Sequence, residues 1–195
     1  MKGFIKWYLV LFLALYVANS KASGLRNYNN VGVFYNADLG IYPGLGGFLS
    51  YNLSSTEKTR GKREIEVLRV LSLRPTVSYI MYPRVGSVLN PALLLNYSLG
   101  RKKGIYSEIE TGLGLIHQFN AGKTYQLNSQ GGITERNLAF RTYWSVETNF
   151  AIGLRTAKQS AYYLKLVNLQ QFPYNSVGFV PRFILQIGFT KTIAL

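Results

Sequence analysis

Across residues 181–195, Phe183, Leu185, Ile187 and Phe189 alternate with Arg182, Gln186, Gly188 and Thr190. Strict alternation places one set of side chains on each face of a strand. The same two-residue period sets Leu71, Leu73, Val77, Tyr79 and Met81 against Ser72, Arg74, Thr76 and Ser78. It recurs with Trp144, Val146, Thr148, Phe150 and Ile152 against Tyr143, Ser145, Glu147, Asn149, Ala151 and Gly153. Runs of this kind, bounded by turn residues, predict strands near 29–37, 44–54, 64–82, 87–100, 104–120, 140–155, 160–172 and 181–193. Each apolar face needs a cover, and no segment is patterned as a covering helix. Lipid can be that cover. The pattern therefore predicts an all-β chain: a membrane-spanning, antiparallel, up-and-down β-barrel of about eight strands, apolar outside and polar inside.

Some stretches break the alternation. The apolar phase shifts between Ile65 and Val70 and is lost near Asn168 to Gln171, which predicts β-bulges or strand ends beyond the bilayer. Pro75 lies inside a strand, where a fully paired ladder disfavours it. The first strand is short and weakly patterned, leaving open six strands plus an amino-terminal segment. With both termini on the periplasmic side, SSTEKTRGKR, GRKKG and RTAKQ become periplasmic turns. DLGIYPG, YPRVG, NAGKTYQLNSQGGITERN and PYNSVGFVP become external loops. The longest connection then falls outside, as barrels of this kind arrange it.

The amino terminus fits that destination. Lys2 and Lys6 precede an apolar run from Trp7 to Ala18, followed by Ser20-Lys21-Ala22. A basic region, a short apolar core and small residues at a cleavage point predict a signal peptide over residues 1–22 and a barrel over 23–195. The sequence has no cysteine, which excludes a lipid anchor through Cys, disulfides and thiolate metal sites. The net charge of +14 raises the question of nucleic acid, but no nucleic-acid-binding motif accompanies it. The basic residues concentrate in the predicted periplasmic turns, including Lys58, Arg101, Lys102, Lys103 and Lys158, where they suit either anionic lipid headgroups or simple solvation of the turns.

Glu108, Glu110 and Glu147 share the inward phase with Arg74 and Arg182. Paired carboxylates can do acid and base work, but an eight-stranded interior is only wide enough for side chains to fill. Mutually paired charges filling the lumen is the expectation. With no phosphate loop, serine elbow or metal-ligand spacing, no catalytic, metal or cofactor-binding residue is assigned, and no cofactor is expected.

The alternating strands and closing segment resemble the small outer-membrane β-barrel proteins of Gram-negative bacteria, the group that includes the OmpX, OmpW and PagL types. The resemblance implies a location in the cell outer membrane, membrane lipids and lipopolysaccharide as partners, a monomer, and insertion by the barrel-assembly machinery. That machinery recognises a final strand usually ending in an aromatic residue, whereas this chain ends Ile193-Ala194-Leu195, with Phe189 its last aromatic. The function expected is a non-enzymatic structural or surface-interaction role. The alternative is a lipid A or phospholipid-modifying enzyme with its site on the outer wall. Deacylases of the PagL type carry an outward His followed two positions later by a nucleophilic Ser. Here the corresponding residues are His117 and Phe119, and Ser107 lies about 34 Å away along the strand. A nucleophile has to come from a neighbouring strand, with Thr148 the nearest candidate in pattern. A soluble carrier of lipocalin type requires the apolar face inside.

Overall fold

Eight strands pair antiparallel in a ring, each against its neighbour, with the first closing on the last. The computed structural model describes residues 28–38, 41–60, 65–83, 85–121, 124–127, 131–136, 140–172 and 178–194. The predicted leader lies outside them. The strands are β1 (Tyr28–Asp38), β2 (Tyr42–Arg60), β3 (Ile65–Tyr82), β4 (Gly86–Arg101), β5 (Gly104–Asn120), β6 (Thr124–Leu127), β7 (Ile133–Arg136), β8 (Phe140–Arg155), β9 (Ser160–Phe172) and β10 (Val180–Ala194). The barrel runs β1-β10-β9-β8-β5-β4-β3-β2, while β6 and β7 pair only with each other. Because β1 is paired along both edges, the six-stranded alternative does not hold. The β6–β7 hairpin was not predicted: its strands are only four residues long, too short for alternation to register.

The two faces fall where the pattern places them. Val77, Phe150, Leu185 and Ile187 are 42–60% exposed on the outer wall, while Ser72, Arg74, Glu147 and Asn149 are at most 4% exposed inside. Among the described residues, outward-phase charges occur only toward the end that carries the termini, at Lys58, Arg69, Arg101 and Lys191. A belt of aliphatic and aromatic side chains surrounds the rest.

Of the bulges or strand ends expected near Ile65–Val70, the structure shows the strand end beyond the wall and no bulge in β3. The register shift lies on β2, between Asn52 and Ser54, and not within Ile65–Val70 of β3. There the β2–β3 hairpin outruns the wall: residues 53–59 are all exposed, so neither face is buried and the apolar phase carries no constraint. Much of SSTEKTRGKR is therefore strand and not turn. Residues 168–171 pair without interruption to both β8 and β10. The alternation fades because polar Asn168 and Gln170 take the outward positions, paired with Thr148 and Phe183 and with Val146 and Pro181, while Leu169 points inward, 2% exposed, into an apolar cluster. Pro75 pairs with Leu93 of β4, while the β2–β3 ladder passes from Phe48↔Thr76 to Tyr51↔Leu73 without it. Its missing N–H thus falls at a gap in the ladder.

Four aromatic rings lie directly across the ladder from glycines: Phe34 from Gly46, Phe48 from Gly32, Tyr106 from Gly153 and Tyr163 from Gly188. A Cβ at each of these glycines would collide with the facing ring, so the rings lie flat against bare backbone within the barrel. Gly188→Ala is expected to cost about 1–3 kcal/mol through overpacking. Equilibrium unfolding should show less than half that cost in a Tyr163→Ala background; equal costs would locate the strain in the backbone instead.

Candidate functional site

The lumen is stratified along the barrel axis. At the loop end Ile80, Val88, Ile116, Val167, Leu169 and Ile184 form an apolar plug, each no more than 4% exposed, with Tyr42, Tyr82 and Tyr143 packed against it. Arg182 belongs to this end. Its Nη1 donates to the Tyr82 hydroxyl at 3.1 Å, and Tyr82 in turn donates to Asp38. The expected pairing of Arg182 with the lumen carboxylates is thus corrected, because β10 places it too near the loop end to reach them.

Below the plug lies a charged network. Arg74 Nη1 donates to Glu108 at 2.9 Å and also to Glu110, and Nη2 reaches Glu108 at 3.3 Å. Lys165 Nζ donates to the second oxygen of Glu110 at 2.7 Å, and Asn149 adds a third donor at 3.0 Å. Glu147 is held by the amides of Asn90 at 2.7 Å and Asn149 at 3.4 Å. The guanidinium of Arg74 also covers the Phe48 ring at 4.3 Å. All three carboxylates point inward as predicted, but Glu147 takes amide donors, not a cation. Lys165 was missed, although its alternation with Tyr162, Leu164 and Leu166 marks it as inward. Carboxylates saturated in this way are poor proton shuttles. The network is a charge-compensated filling.

The outer wall holds the second candidate. His117 faces outward and pairs across the ladder with Thr142, its Nδ1 3.0 Å from Thr142 Oγ1. The imidazole stacks on Phe140 at 5.4 Å, and Phe140 packs on Phe119. The hydroxyl beside the histidine therefore comes from Thr142, not Thr148, which pairs with Thr111 further down the barrel. A base in contact with a hydroxyl is two parts of an acyl-transfer site. Two others are missing among the described residues. The carboxylates with described side chains lie in the lumen or on the far rim, so none orients His117, and the β5 and β8 backbone there is committed to the ladder and cannot form an oxyanion hole. Ser107 donates instead to the Leu99 carbonyl at 3.4 Å.

At the opposite rim Lys102 is gripped by Glu57 at 2.8 Å and Glu66 at 3.5 Å. The hydrogen bond and charge of Glu57, then the charge of Glu66, raise this exposed ammonium above its ordinary pKa. No group of His, Asp and Glu among the described residues is arranged to hold a metal ion.

No protein family matches the sequence, and no curated protein does. Solved structures do match. The outer membrane enzyme PagL superposes with a TM-score of 0.54 at 10% identity, covering 84% of this chain and 99% of that one. The N-terminal β-barrel domain of Pseudomonas aeruginosa OprF gives 0.47 at 14% identity, covering 86% and 98%. At such identities the likeness concerns architecture alone. The chain has the fold of a small eight-stranded outer-membrane β-barrel.

Proposed function

We propose that this protein is an integral barrel of the bacterial outer membrane with a non-enzymatic structural or surface-interaction role. The observation that carries the reading is the inverted polarity of a closed ring: a belt of apolar side chains outside and charged side chains inside. A soluble barrel of this size would leave that belt in water. Aromatic side chains flank the belt, Trp144, Phe140 and Phe183 toward the loops and Tyr97 and Tyr162 toward the termini, as interfacial girdles require. The leader over residues 1–22, insertion by the barrel-assembly machinery and contact with lipopolysaccharide belong to the same reading. The loop end is the surface-interaction face, because the β6–β7 hairpin lies in its longest connection and exposes 70% of Ile133.

Orientation supplies the test. A cysteine at Ile133 is expected to react with a membrane-impermeant thiol reagent on intact cells, and one at Ala157 only after permeabilisation. Reversed labelling would invert the barrel, and recovery of the protein in a soluble fraction would refute the reading.

The His117–Thr142 contact favours a second reading, a lipid-modifying enzyme acting at the outer leaflet. Since a third member and an oxyanion hole are lacking among the described residues, His117→Ala and Thr142→Val are expected to leave the acyl pattern of lipid A unchanged by mass spectrometry. Loss of an acyl-chain removal in both variants would put the enzyme in place of the passive barrel.

A further inference from the structure

Beneath the charged network the lumen widens into a cup of about 470 Å3 that reaches the turns at the termini end. The plug and the Arg74 network close its far side, so it is a blind pocket. Its floor is built from Ser72, Arg74 and Asn96, its wall includes Arg155, and Lys102 and Lys103 stand at its mouth.

The floor has hydrogen-bonding capacity left over. Arg74 is 3% exposed, yet its Nε has no partner, and neither does Oδ1 of Asn96, which is 1% exposed. Ser72 Oγ accepts from Asn96 Nδ2 at 3.1 Å and lies 3.0 Å from Ser50 Oγ. Two hydroxyl protons share that last contact, which leaves one to donate elsewhere. Arg155 stacks on Tyr106 at 4.2 Å and donates to the Arg101 carbonyl at 3.2 Å and to Ser98. A guanidinium carries five N–H groups, so others remain free. The carboxylates lining the cup are already engaged, Glu108 by Arg74 and Glu57 by Lys102. Apart from the Asn96 Oδ1 acceptor, the groups left over are donors, and positive charge is in surplus. Buried donors without partners are costly, and a guest with several acceptor oxygens relieves that cost.

We propose that this cup binds a phosphate group, carried either by a small soluble phosphoester or by a phospholipid headgroup, with Arg155 and Lys103 as its charged contacts and the Ser72–Arg74 floor beneath. Arg155 is preorganised by its ring and carbonyl contacts, and an arginine fork matches phosphate oxygens. Lys103 is exposed at the mouth, placed to draw an anion inward.

The test uses the full chain purified in an uncharged detergent and titrated calorimetrically with glycerol 3-phosphate, with glycerol as the control. Saturable binding of the phosphoester and none of glycerol is expected, weakened about ten-fold by Arg155→Gln and by Lys103→Glu. Arg141→Gln, toward the loop end, should leave it unchanged. Lys103 is on the surface, so its substitution keeps the test valid if the Arg155 variant folds poorly. Repeating the titration in nanodiscs separates the sources. Binding retained in phosphatidylglycerol nanodiscs identifies a soluble guest, and binding lost there but kept in the phosphate-free detergent identifies the headgroup. Absence of saturable binding in detergent, or binding indifferent to both substitutions, would overturn the proposal and leave a water-filled recess.

Discussion

Glu110→Ala is expected to destabilise the barrel by about 3–5 kcal/mol, the cost of removing one partner from a buried ionic cluster. Glu110 is 1% exposed and, among the described residues, is the only carboxylate bridging Arg74 and Lys165. Without it Lys165, 2% exposed, keeps a charge with no carboxylate within ion-pair distance among the described residues. The double variant Glu110→Leu/Lys165→Met removes a cation and an anion together and leaves the Arg74–Glu108 pair intact. It should therefore unfold closer to the native protein than Glu110→Ala does. Reversible denaturation in detergent or lipid measures both. A single variant as stable as the native chain, or a double variant worse than the single, would show that the network is not what fills the lumen energetically.

Leu185→Arg is expected to cost about 2–4 kcal/mol in a bilayer, the range for a cation on the lipid face near mid-membrane. Leu185 lies in the middle of β10, 42% exposed, between Ala37 of β1 and Leu166 of β9. Gln186, one residue on and 8% exposed, faces the lumen, so Gln186→Leu should be much milder. A reversed ranking in equilibrium unfolding from lipid vesicles would place the last strand one residue out of register.

Strand number, faces and approximate ends were legible in the sequence because alternation has a period of two and the wall separates two solvents of opposite polarity. Leu185 against Gln186 and Phe150 against Glu147 each obey that rule. It failed along the β2–β3 hairpin beyond the wall, and near Leu169, where Asn168 and Gln170 face outward and the apolar residue faces inward. The candidate sites were legible by half. The inward phase of Glu108, Glu110, Glu147 and Arg74 followed from alternation, but their pairing did not, because height along the axis depends on strand stagger. That stagger sends Arg182 to Tyr82 and brings Lys165, unremarked in its own strand, to Glu110.

On the outer wall the sequence could say that His117 faces out and that Phe119 cannot be its nucleophile. Which hydroxyl stands beside it is a matter of register between β5 and β8, and register placed Thr142 there in place of Thr148. The cup depends on tertiary structure throughout, since Ser72, Asn96 and Arg155 come from three strands and meet only when the ring closes. Periodicity is a property of one strand and survives in the sequence. Stagger, closure and the stacking of rings on Gly153 and Gly188 are relations between strands, fixed only when all eight pack around one small lumen.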